Sequence, residues 1–179
     1  MAEIAGLKLI VPSSVAGSGV SVSASGKVTF TAATSISVNG VFDSTYDNYL
    51  VVMRHISSSG DSRFDLRLRS SGSDATGSNY TYQDVNANST TVSGARFSGT
   101  FASVCFISST AASGTHCMFY GPALAQPTAI RSVNAIGRDS ARIKDQAITH
   151  SVSSTYDGFS FLPSSLTLSG ALTVYGLSQ

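Results

Sequence analysis

The side chains best able to do chemistry are three histidines, His55, His116 and His150, and two cysteines, Cys105 and Cys117. Zinc sites draw ligands from short, repeated spacings. Here the cysteines form no CxxC, and the histidines are widely separated, each in a segment that reads as strand. Three histidines of this kind read as core or edge residues, so no metal and no cofactor is expected. Acidic residues are sparse, and no two of them are spaced to flank a cleft as a general acid and base would. Serine is so frequent that a Ser/His/Asp match carries no information, and neither a GxSxG elbow nor a GxxxxGK[ST] loop occurs. Two Asn-x-Thr sequons, at Asn79 and Asn88, read as polar loops. The Tyr- and Asn-rich stretch from Asp74 to Asn88 could touch sugar or protein. The chemistry points to no catalytic residues and to a chain that is not an enzyme.

The elements that hold these residues read as strands. In Ser35 to Ile56, Ile36 and Val38 alternate with polar neighbours, Asn39-Gly40 and Asp43-Ser44 form turns, and Leu50-Val51-Val52-Met53 reads as a strand buried on both faces. In Arg63 to Arg69 the alternation puts Phe64, Leu66 and Leu68 inward. It puts Arg63, Asp65, Arg67 and Arg69 outward, on a solvated face or an interface between subunits. Tyr80 and Tyr82 share one strand face. Asn86 to Gly94 reads as a polar connection. In the last strand Leu166, Leu168, Leu172 and Val174 face one way, and Ala171, Thr173, Tyr175 and Leu177 the other. About nine or ten strands are expected, with Ala123 to Gln126 and Arg142 to Ala147 as weak helix candidates. The fold class is therefore all-β, an antiparallel jelly-roll-like β-sandwich over residues 35–179.

Residues 1–34 read differently. Val20, Val22, Val28 and Phe30 alternate among Ser, Thr and Gly, with few large apolar groups to offset ordering entropy. The expectation is an extended N-terminal arm ordered by neighbours, with Leu7, Leu9, Ile10 and Val11 as apolar anchors for assembly. Its removal should leave a folded sandwich. Only 12% of residues are charged while 42% are hydrophobic, so little strongly hydrated surface is left for a solitary monomer, and a homo-oligomer is expected. A net charge of +1 gives no electrostatic case for nucleic acid or membrane partners. The N-terminus lacks the pattern of a signal peptide and no window approaches the roughly 18 apolar residues of a membrane span. Synthesis in a host cytoplasm, with both cysteines as free thiols, follows as an expectation.

Three pieces, VNGVFDSTYDNYLVVM, FDLRLRSSGSDATGSNYTY and FSFLPSSLTLSGALTVYGL, resemble small virion structural proteins of tailed bacteriophages, of the minor tail or decoration type. The likeness covers roughly Ser35 to Leu177 and is carried by Gly40, Phe42, Tyr46, Tyr49, Leu66, Arg67, Leu68, Arg69, Gly72, Gly170, Val174, Tyr175 and Gly176. The resemblance implies a non-enzymatic protein located in the virion, trimeric, in contact with other virion proteins, as a minor tail or appendage component. A capsid decoration protein is one alternative. A module that binds a host-surface receptor or glycan is another.

Overall fold

The computed structural model describes residues 6–57, 60, 62–137 and 141–177, and these contain sixteen strands and no helix. Met1 to Ala5 of the expected arm lie outside the described residues. The first strands are short: β1 (Leu7–Ile10), β2 (Ser14–Ala16), β3 (Val20–Val22), β4 (Val28–Ala33) and β5 (Ile36–Asn39). Then come β6 (Asn48–Ser57), β7 (Ser62–Ser70), β8 (Ser73–Asp74), β9 (Tyr80–Asn88), β10 (Thr91–Gly99) and β11 (Ala102–Ile107). The chain closes with β12 (Ser113–Tyr120), β13 (Gln126–Ile136), β14 (Arg142–Ser154), β15 (Gly158–Pro163) and β16 (Leu168–Leu177).

Two antiparallel sheets stack as a sandwich. The larger runs β10-β9-β14-β13-β12-β6-β16-β4-β3, with β1 also paired to β16. The smaller runs β11-β7-β15-β5-β2, with β8 paired to β7. Strand alternation decides what lies between them. Tyr49, Val51 and Met53 of β6, Phe64, Leu66 and Leu68 of β7, and Leu168, Leu172 and Val174 of β16 are all buried. Aromatic rings form a continuous thread through this core: Phe42 lies 5.0 Å from Phe119, Phe119 5.5 Å from Phe159, and Phe159 4.9 Å from Phe161. Phe64 then sits 4.9 Å from Phe161. Such tilted, stacked and edge-on contacts add to simple burial of area. Gly176 is needed for a related reason: a Cβ there would come within 2.4 Å of the Tyr46 ring.

Four expectations are corrected. Residues 7–33 are woven into both sheets of their own chain: β2 pairs with β5, β4 with β16, and β1 with the end of β16. Val28, Phe30 and Ala33 are fully buried. The segment has few large apolar side chains, but β4 places them on one face beside the last strand, so core burial within the chain supplies their order. Secondly, Val52 of β6 is 43% exposed, so this central strand is covered on one face only. Thirdly, Asp65 and Arg69 of β7 are buried although they face away from the core. Arg69 donates to Asn39 Oδ1 at 2.8 Å and Ser160 Oγ at 2.9 Å and pairs with Asp74, so its charge is satisfied within the chain. Fourthly, the two weak helix candidates are a turn region before β13 and the start of β14, and the polar connection after Asn88 is a hairpin from β9 into β10.

Candidate assembly surface

The outer face of the larger sheet is built by the pairing register. Leu9 stands opposite Tyr175, Tyr175 opposite Leu50, Leu50 opposite Met118, and Met118 opposite Arg131. The neighbouring row is Thr173, Val52, His116 and Val133. A third row sets Leu7 against Leu177, and Asn48 between Leu177 and Tyr120. Directly opposed residues of paired strands share a face, so these rows are laid side by side. Leu7, Leu9 and Tyr120 are 57%, 44% and 44% exposed, and Leu50, Met118, Val133, Tyr175 and Leu177 are half-buried. The result is a band of apolar side chains from β1 to β13, on a sheet whose other face is the core.

Shallow depressions interrupt the band. One of about 560 Å³ is lined by Val52, Arg54, Ala171, Thr173, Thr29 and Lys27 among others. Two smaller ones share His116 and Val133. Arg54 and Lys27 bring charge to the larger depression, and at the rim Arg131 grips Asp145 with two hydrogen bonds, at 3.1 and 2.5 Å, and holds its carboxyl below the usual carboxylate range. An apolar area bordered by polar groups is what a contact surface between proteins presents.

Of the residues singled out in the sequence, Leu7, Leu9 and Val11 are exposed, Leu7 and Leu9 on this band, while Ile10 packs against the core. Arg63, Arg67 and Arg69 are elsewhere, on the outer side of the smaller sheet. Arg63 is exposed over the Phe101 ring and donates to Asp65 at 3.2 Å, and Arg67 donates to the Thr100 carbonyl at 3.1 Å. The band itself escaped notice in the sequence because its members lie one per strand. Only the pairing register brings them together.

Two other places collect reactive side chains. Inside the sandwich, His55 Nε2 meets Thr115 Oγ1 at 2.8 Å, Asn134 Nδ2 donates to the same hydroxyl at 2.9 Å, and Cys105 Sγ lies 3.8 Å from the ring. Burial lowers His55 to about 4 and pushes the Cys105 thiol well up, so both are held neutral. A thiol kept protonated in the interior is packing material. Cys117 is likewise a buried free thiol, pushed up to about 12 by burial. His150 is buried against Tyr156, whereas His116 is on the outer face, and among the described residues no three His, Cys, Asp or Glu side chains gather as metal ligands. At one end of the sandwich Asp43 and Asp157 line a pocket of about 280 Å³ with Ser44, Ser70 and Ser71, a pairing of acids not expected from the sequence. Both are engaged in loop closure: Asp43 Oδ1 accepts from Thr45 N at 2.7 Å, and Asp157 Oδ2 from Ser71 N at 2.9 Å.

No protein-family model matches the chain, and no curated protein matches it. Among solved structures, a protein of unknown function from Shewanella oneidensis MR-1 aligns over 96% of this chain and 79% of its own, at 10% identity and a TM-score of 0.24.

Proposed function

We propose that the chain is a non-enzymatic structural component of a bacteriophage virion, a minor tail or appendage protein that assembles as a homotrimer through the outer face of its larger sheet. The observation that carries the assembly reading is the apolar band from Leu9 through Tyr175 and Leu50 to Met118, open on one side of a sheet whose core is already complete. Its location on a virion, made in the host cytoplasm, rests on the three resembling segments and on the sparse charge of the chain. Leu7 and Leu9 on β1 extend the same band to the sheet edge, where other virion proteins would dock. Mass spectrometry of purified particles, produced by the genome that encodes the chain, tests this reading. The protein should be recovered with the particles in a fixed ratio to known tail components. Its absence from particles, with abundance only in the lysate, contradicts the reading.

A further inference from the structure

We propose that Lys144 and Asp84 condense into an intramolecular amide that staples β14 to β9. The two side chains are drawn from neighbouring strands, with Gln146 opposite Asp84 and Lys144 opposite Asn86. Lys144 Nζ lies 3.0 Å from Asp84 Oδ2, and the side chains are only 4% and 11% exposed. The Phe106 ring covers the amine, its centroid 4.3 Å from Nζ, and the Arg142 guanidinium lies 4.3 Å from the same ring.

This arrangement has what amide formation needs. A buried ion pair gains little net stability, because each charge has given up its hydration. Converting the pair to a neutral amide removes both charges. Holding amine and carboxyl in contact replaces a bimolecular encounter, an advantage of about 10⁵–10⁸ M in effective concentration for well-oriented groups. In the reaction the proton of the ammonium passes to the Asp84 carboxylate, giving an amine and a carboxylic acid. The amine lone pair attacks Asp84 Cγ, the Nζ–Cγ bond forms, and one Cγ–Oδ bond breaks. The departing hydroxyl takes a proton from the former amine and leaves as water. No oxidant or reductant is involved. The product would lock the β9–β10 hairpin to the rest of the larger sheet.

Intact-mass measurement of the denatured full-length protein, followed by proteolysis, decides the matter. The expected mass is one water below that of the sequence, and the digest contains a branched peptide joining residues 84 and 144. Lys144→Arg should restore the full mass. A wild-type protein at its full sequence mass overturns the proposal, whatever the variant does. So does a lost water that maps anywhere other than the pair of residues 84 and 144.

Discussion

Arg69 Nε donates to Asn39 Oδ1 at 2.8 Å, a bond that crosses β15 to tie β7 to β5. The same guanidinium reaches Ser160 Oγ on the crossed strand and the Asp74 carboxylate on β8. One planar cation thus fastens four strands of the smaller sheet, on the side away from the core. Ser160 Oγ in turn bonds Asp74 Oδ1 at 2.8 Å and Ser37 Oγ at 3.0 Å, so the polar groups satisfy one another. Removing Arg69 takes the nearest cation from the half-buried Asp74, which keeps Ser160 and the more distant Arg67, and leaves Asn39 Oδ1 without that donor. Arg69→Leu should cost about 3–5 kcal/mol, the scale for breaking a buried pair. Arg69→Lys should recover little, since a point charge cannot span the same acceptors. Chemical denaturation of both variants checks this. A loss for Arg69→Leu of under roughly 1 kcal/mol, the scale of a surface substitution, would show that the cation is not structural.

The N-terminal segment gives a second expectation, opposite in sign to the one its composition suggests. Phe30 is 1% exposed on β4, which pairs with β16. Phe30→Ala should therefore destabilise by about 3–5 kcal/mol. Deletion of residues 1–34 strips Val28, Phe30 and Ala33 from the core and uncovers the edge of β16. The truncated chain should be insoluble or lack a cooperative melting transition. A truncated protein that melts as sharply as the full chain would make these strands an accessory.

Much of the sandwich was legible in the sequence, because burial on one face of a strand writes itself as period-two alternation. Phe64, Leu66 and Leu68 are read inward and are buried. Tyr80 and Tyr82, placed on one face, are both buried, and of Leu166, Leu168, Leu172 and Val174 the last three are buried while Leu166, just ahead of β16, is half-buried. What escaped depends on partners distant in sequence. Alternation assigns Arg69 to an outer face but cannot show that Asn39, Asp74 and Ser160 meet it there. An apolar run such as Leu50 to Met53 looks the same whether its second face is covered or open, and Val52 shows it open. The hairpin β9–β10 was hidden because almost all of β10 is exposed, so burial imposes no pattern on it. The assembly band was out of reach for the same reason as the Arg69 network: register is a property of the sheet.

Acidity should separate two buried groups. Burial lowers His55 from 6.5 to about 4, and burial raises Asp65 from 3.8 to about 6 despite the attraction of Arg63. Below pH 6.5 the unfolded chain protonates His55 while the folded chain resists, so this stability is lost as pH falls toward 4. Asp65 works the other way: the folded chain keeps its proton up to about pH 6, so its contribution is present at low pH and lost as pH rises through that range. Each effect is on the order of 3 kcal/mol, and over the shared window they oppose. Asp65→Asn removes one of them. Relative to wild type, the variant should melt progressively lower as pH falls from about 6 to 4, by several degrees for a domain of this size. A constant difference in melting temperature across that range would contradict the burial of an acid here.

Assembly through the outer face is tested most directly by sedimentation equilibrium of the full chain beside a Leu9→Glu, Val52→Glu double variant. Both positions are exposed in the single chain, at 44% and 43%, so the substitutions should change its stability by only about 0.5 kcal/mol each. Charges placed within an interface lose their water and are costly. The wild-type protein should sediment as a trimer at micromolar concentration, and the double variant as a monomer with an unchanged circular dichroism spectrum. A wild-type protein that is monomeric under these conditions, or a double variant that remains trimeric, would contradict assembly through this face.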